Sequence, residues 1–244
     1  LLHDDVVDAS DQRRGKASAN AVFGNEAAVL VGDFLFSRSF QLMVEDGSLD
    51  VLRILSNASA VIAEGEVLQL SIANNLQTTE DQYYQVIRSK TAELFAAACE
   101  VGAIVAGRSA AECRSMRDYG LYLGVAFQIS DDVLDFVASE KRLGKSLGDD
   151  FREGKMTLPI LKAIAKASAD ERCFWQKSLG DMQQDDNSLT EALTLLKKHR
   201  ALEEALQDAR SYARKGQEVR AVLPAGPVRQ YLEDLIIFAV DRDH

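Results

Sequence analysis

The chain has 244 residues, 47% of them hydrophobic, enough for one large core, and no shift in composition marks a boundary, so a single domain over 1–244 is expected. Lys and Arg total 28 against 38 Asp and Glu, a net charge of −10 that argues against a nucleic-acid surface, which needs a basic stripe. Cys99, Cys113 and Cys173 are odd in number and scattered, and His3, His199 and His244 match no zinc spacing, so a reducing cytoplasm is the expected compartment.

Apolar residues recur at three- and four-residue spacing through nearly every segment, as in Val51, Leu52, Leu55, Ala58 and Ile62, while strand-like alternation is scarce. The expected class is all-α, a central helical bundle surrounded by further helices. The chain opens at Leu1 inside an apolar stretch, read as a helix near residues 1–8 whose upstream part, with other N-terminal helices, is missing. That helix carries Asp4-Asp5-Val6-Val7-Asp8, and the loop after it brings Arg13, Arg14 and Lys16. Helices are predicted over residues 21–44, 50–74, 80–106 and 110–138. The third contains Ser89-Lys90-Thr91. The fourth contains Gly120, Gly124, Gln128 and a second acidic motif, Asp131-Asp132-Val133-Leu134-Asp135. A loop over 139–156 comes next, with Gly144-Lys145, Asp149-Asp150 and Gly154-Lys155, and it can act as a lid or as a plain turn. Further helices are predicted over 157–168, 188–197, 199–220 and 228–241. No uninterrupted apolar run is long enough to cross a bilayer.

The two acidic motifs carry the chemistry. On a helix, positions i and i+4 share a face, and the residue after the first is turned by about 100°. Asp4 with Asp8, and Asp131 with Asp135, therefore present paired carboxylates, while Asp5 and Asp132 are turned away from their neighbours. Carboxylate oxygen suits a hard cation such as Mg²⁺, which takes few carboxylates plus substrate phosphate and water. Arg13 and Arg14 supply forked donors for phosphate or neutralise the neighbouring aspartates. Gln128 stands one turn before the second motif and, in an apolar helix, needs a partner. Gly120 and Gly124 share a face and thin that wall, for close helix packing or for room beside the helix.

Taken together, these residues closely resemble the trans-isoprenyl diphosphate synthases. The resemblance rests on Leu2-His3-Asp4-Asp5-Val6-Val7-Asp8, Arg13-Arg14-Gly15, Lys90-Thr91, Phe127-Gln128, Asp131 to Asp135, and Gly144-Lys145 through Asp149-Asp150. Val31-Gly32-Asp33-Phe34, the run from Ile62 to Leu70 and the closing Val240 to Asp243 are most like the long-chain bacterial members, above all those forming octaprenyl diphosphate. The resemblance implies Mg²⁺-dependent condensation of isopentenyl diphosphate with an allylic diphosphate such as farnesyl diphosphate, to a product used for quinone side chains. It implies metal ligation by Asp4, Asp8, Asp131 and Asp135, with Arg13, Lys90, Lys145 and Lys155 on the diphosphate and Arg14 on isopentenyl diphosphate. Thr91 and Gln128 are implied as oxygens facing the allylic cation. A homodimer is expected, with no nucleic acid and no transmembrane segment, and with peripheral membrane contact for release of a greasy product.

The family elements that govern product length and bind isopentenyl diphosphate upstream would precede Leu1, so a molecule starting there is expected to turn over weakly. A terpene cyclase would carry an Asn/Ser/Glu-type second metal motif, and a non-catalytic partner subunit would be expected to lose carboxylates from one motif. Both motifs are whole here.

Overall fold

The computed structural model describes residues 1–13, 15–137, 147–219, 223 and 225–241. Arg14, Gly144, Lys145 and the closing Arg242-Asp243 lie outside the described residues, as does the first part of the expected 139–156 loop. The chain separates into two compact units, one formed by residues 1–53 with Leu147, the other by residues 54–137 and 148–241.

The first unit begins with helix α1 (Leu2–Val7), which bears the first acidic motif. After it comes a two-stranded hairpin, Gln12–Arg13 (β1) paired antiparallel with Lys16–Ala17 (β2), with Gly15 between them at φ +72. The strand pair was not legible in the sequence because each strand is two residues long and too short to show alternation. Ser18 caps α2 (Ala19–Phe23) by accepting from the Ala21 amide, and α3 (Asn25–Asp46) is next. The predicted helix over 21–44 is thus two helices. Gly24, at φ +85, breaks the helical path between them, and Gly47, at φ +79, ends α3 in the left-handed conformation that glycine adopts without steric cost.

Helix α3 is apolar along most of its length without being an uninterrupted apolar run. Over an 18-residue window its mean hydropathy is 1.4, so by length and composition it is apolar enough to cross a membrane, although Asp33 and Arg38 interrupt it. Ala28 is its one buried residue, and Leu30, Phe34 and Leu35 are exposed.

The second unit holds the larger core. From Leu49–Ile72 (α4) it takes the residues from Ile54 onward, among which Ile54 and Ala58 pack with Ala97. A capping box between Thr79 and Gln82 starts α5 (Glu80–Ile87). The predicted helix over 80–106 is continuous but contains a π turn at Arg88–Ala92 before α6 (Glu93–Val105). The long α7 (Ala110–Val137) packs against α6 and is the spine of the unit.

Beyond α7 come α8 (Asp149–Arg152), α9 (Leu158–Lys166), α10 (Ala169–Trp175) with a π turn at Gln176–Gly180, α11 (Ser188–Lys198), α12 (Ala201–Val219) and α13 (Pro227–Val240). On α12, Ala201, Ala205, Ala209 and Ala213 recur at four-residue spacing and are all buried, and these small side chains let it lie close to α7. Tyr119, Ile129, Leu158, Ile160, Trp175, Leu196 and Ile236 fill the core, each such side chain contributing about 1.5–3 kcal/mol by leaving water. Helix α10 was missed because its first turn is polar, yet Ser168 and Glu171 form a capping box that marks its start.

Gly120 and Gly124 are packing residues. A β-carbon at Gly120 would run into the Phe95 carbonyl, and one at Gly124 would lie 2.5 Å from Ala92 Cα, so the wall is thinned for a neighbouring helix backbone.

Candidate active site

In the first motif, Asp5 is only 3% exposed, whereas Asp4 and Asp8 are half-buried. Arg13 donates to Asp5 through Nη2 at 2.7 Å and through Nε at 2.9 Å to Oδ1 and 3.2 Å to Oδ2. The guanidinium thus sits on Asp5, which is one of the two readings open for Arg13. The hydrogen bond to Asp5 and the further charges of Asp4 and Asp8 hold Arg13 still more firmly protonated than usual. The loop that carries it is pinned from behind. Asn20 Nδ2 donates to the carbonyls of Asp5 (3.2 Å) and Ser10 (3.1 Å), and the Ser18 hydroxyl donates to the same Ser10 carbonyl at 2.6 Å.

His3, beside this motif, lies 3.1 Å from the Val29 carbonyl and 3.2 Å from Asp33 Oδ1. Gly32 makes that possible, because a β-carbon there would stand 2.6 Å from the ring Nε2. The Gly32-Asp33 pair thus acts structurally, seating the imidazole of the acidic helix.

In the second motif the pattern repeats. Asp131 is exposed and Asp135 half-buried, while Asp132 is 3% exposed. Asp132 has neutral donors instead of an arginine: the Tyr83 hydroxyl reaches Oδ2 at 2.6 Å and Gln128 Nε2 reaches Oδ1 at 2.7 Å. Burial pushes its carboxyl well up, helped by the charge of Asp150, and the two hydrogen bonds pull the other way. Burial likewise raises the Tyr83 hydroxyl, with Asp132 adding to it. The chain returns to this motif after α7, where the Gly148 amide donates to the Asp135 carbonyl at 2.8 Å and the Asp150 amide to Asp135 Oδ2 at 3.2 Å.

Thr91, within the π turn, donates its hydroxyl to Gln128 Oε1 at 2.9 Å, leaving lone pairs on the Thr91 oxygen. Lys90, its neighbour, is held by Glu66 Oε2 and Gln69 Oε1, both at 2.7 Å. Lys155 pairs with Glu153 at 2.5 Å and Asp150 at 3.4 Å. The remaining two sequence-predicted residues, Arg14 and Lys145, are outside the described residues.

Sequence reasoning gave no site role to Tyr83, Glu66, Gln69 or Asn20, although Glu66 and Gln69 lie in the Ile62–Leu70 run. Each reaches its partner through tertiary structure, and the only local hint is that Glu66 and Gln69 lie one helical turn apart on one face.

Both motifs therefore offer paired, solvent-reachable carboxylates with a third turned inward and partnered. Among the described residues no three His, Cys, Asp or Glu side chains form a ready-made metal cage. An oxygen-only set of few carboxylates fits a hard divalent ion that completes its shell with phosphate and water.

Comparison with known proteins gives the family. The polyprenyl synthetase family profile matches residues 1–196. The chain is 45% identical over 244 residues to octaprenyl diphosphate synthase of Haemophilus influenzae, covering 100% of this chain and 74% of that protein. It is 47% identical over 243 residues to the Escherichia coli enzyme of the same name, covering 100% and 75%. Among solved structures, the polyprenyl synthase of Caulobacter crescentus, complexed with calcium and isoprenyl diphosphate, superposes with TM-score 0.97 at 49% identity, covering 100% of this chain and 74% of that one. A decaprenyl diphosphate synthase from Rhodobacter capsulatus gives 0.95 at 50% identity, covering 100% and 75%. The chain thus spans about three quarters of these relatives and belongs to the polyprenyl synthetase family of chain-elongating prenyltransferases.

Proposed function

We propose that the chain condenses isopentenyl diphosphate head to tail, repeatedly, onto an allylic diphosphate such as farnesyl diphosphate, in the presence of Mg²⁺. The product is a long-chain all-trans polyprenyl diphosphate, octaprenyl, destined for quinone side chains. The observation that carries this reading is the repeated arrangement of the two acidic motifs, outer carboxylates reaching solvent and the middle one buried on a donor.

Asp4, Asp8, Asp131 and Asp135 would hold the metal. When bound, Mg²⁺ neutralises charge building on the departing diphosphate. Asp5 and Asp132, with no solvent-facing role left, keep the two helix faces turned correctly. Lys90 reaches the diphosphate by exchanging Glu66 and Gln69 for phosphate oxygens, with Lys155 and Arg13 as further cationic groups for it. Arg14 and Lys145 keep their roles from the sequence, on isopentenyl diphosphate and on the leaving group.

The allylic C–O bond breaks, the alkene of isopentenyl diphosphate forms the new C–C bond, and a proton leaves to the released diphosphate. Thr91 and Gln128 present oxygen dipoles to the developing cation without attacking it. The protein works in the cytoplasm as a homodimer, for which the exposed apolar residues of α3 leave surface, and touches membranes peripherally to shed product.

Incubation of the full-length chain with labelled isopentenyl diphosphate, farnesyl diphosphate and Mg²⁺, followed by product sizing, tests the reading. An octaprenyl product that disappears on chelation supports it, and a cyclic hydrocarbon or no elongation contradicts it.

A further inference from the structure

Two side chains from one continuous helical stretch fasten the second acidic motif. Tyr83, on α5, donates to Asp132 Oδ2 at 2.6 Å. Eight residues on, Thr91 donates to Gln128 Oε1 at 2.9 Å, and Gln128 Nε2 closes the chain on Asp132 Oδ1 at 2.7 Å. Both oxygens of Asp132 and both ends of the Gln128 amide are thereby fixed. Residues 128 and 132 are one turn apart, so α7 is tied at two heights to the element that carries Lys90 and Thr91.

The direction of Thr91 depends on the π turn, since its one extra residue rotates the downstream helix by about 100° relative to a regular one. Two glycines back that turn. A β-carbon at Gly65 would lie 2.7 Å from the Lys90 amide nitrogen, and one at Gly124 would lie 2.5 Å from Ala92 Cα. The turn is held from both sides, and what remains to be set is the rotation of α7 against it.

We infer that Tyr83 is a positioning residue for prenyl transfer, acting through Asp132 to fix the rotation of the α7 segment bearing Asp131 and Asp135 against Lys90 and Thr91. The inference rests on the metal-holding reading of Asp131 and Asp135 given above. Core packing asks only for the Tyr83 ring, which sits among buried apolar residues and edge-on to Tyr84, and phenylalanine would fill that space. The hydroxyl answers a different need. At 3% exposure Asp132 has little access to water, and without the hydroxyl one of its oxygens would be buried and bare.

The test is Tyr83→Phe in the full-length chain, with Mn²⁺ standing in for Mg²⁺, titrated in the presence of inorganic diphosphate and followed by the electron paramagnetic resonance of free ion. Mn²⁺ affinity should fall about tenfold, and kcat about tenfold with a smaller change in KM for the allylic diphosphate. In an Asp132→Ala background the same substitution should change neither, because the group through which Tyr83 acts is gone. Asp131→Ala is the reference. If Asp131→Ala binds Mn²⁺ like the parent, the metal reading fails and takes the role of Tyr83 with it. If Asp131→Ala loses the ion while Tyr83→Phe binds it unchanged, or if the full effect of Tyr83→Phe persists beside Asp132→Ala, the inference alone is overturned. Should Asp132→Ala fail to fold by circular dichroism, the Mn²⁺ affinity of Tyr83→Phe decides by itself.

Discussion

The two acidic motifs share their spacing and their burial pattern but not their neutralisation. Asp5 meets a guanidinium eight residues away in sequence, on a short hairpin whose Arg13 side chain is 43% exposed. Asp132 meets a phenol and an amide, and the phenol comes from 49 residues away in the dense core. Where water still reaches the partner, an ion pair is cheap to hold. In a core, a second charge would add its own desolvation penalty, and neutral donors satisfy the carboxylate without it. The motif thus fixes only which carboxylate turns inward, and the surroundings decide how that carboxylate is kept.

The largest effects belong to the outer carboxylates. Asp4→Ala and Asp131→Ala should each lower turnover by about 10²–10³ or more with far-ultraviolet circular dichroism unchanged, measured with labelled isopentenyl diphosphate. Full activity in both would end the parallel between the motifs. The inner carboxylates should separate by stability. Asp132→Ala leaves the buried Tyr83 hydroxyl without its acceptor, about 1–3 kcal/mol, and the half-buried Gln128 amide without one of its own, which adds less. Asp5→Ala leaves Arg13 to water and should cost about 1 kcal/mol or less. Equal denaturation midpoints for the two variants would contradict the distinction.

Glycines sharpen the same contrast. Gly124→Ala would press on the Ala92 backbone and should cost about 1–3 kcal/mol, whereas Gly32→Ala meets only the half-exposed ring of His3, which can swing away, and should cost about 1 kcal/mol or less. Thermal denaturation compares them. The smallest effect lies away from both motifs. Glu171 caps α10 and accepts from Lys198, and its carboxyl is held down to about 2 by the Lys198 hydrogen bond first and the Ser168 amide next. Because its folded value lies below the ordinary one, its contribution is full above about 4.5 and disappears as pH falls through about 2. Glu171→Gln should therefore flatten the acid limb of stability in that window without altering turnover at neutral pH.

Much of this was legible because it is local. The helical period gave α4, α7, α11 and α12 nearly to their ends, and the i, i+1, i+4 spacing already implied that Asp5 and Asp132 turn away from their neighbours. Arg13 on Asp5 could be anticipated as one of two readings, since both lie within one helix and its adjoining loop. The π turn at Lys90 could not, because one extra residue in a turn leaves no mark in a hydrophobic pattern. Nor could Glu66 on Lys90 or Tyr83 on Asp132, which tertiary folding brings from 24 and 49 residues away, whereas Gln128, one turn from Asp132, was in view. The Gly24 break was visible as a residue but not as a conformation, since glycine inside an apolar run is also tolerated in a helix.

The central claim is that the outer carboxylates of the two motifs hold the divalent metal on which prenyl transfer depends. Counting Mn²⁺ ions bound per chain in the presence of inorganic diphosphate, for the parent and for Asp4→Ala/Asp131→Ala, tests it most directly. The account expects the parent to bind Mn²⁺ and the double variant to lose it while staying folded. Unchanged stoichiometry and affinity in the double variant would contradict it.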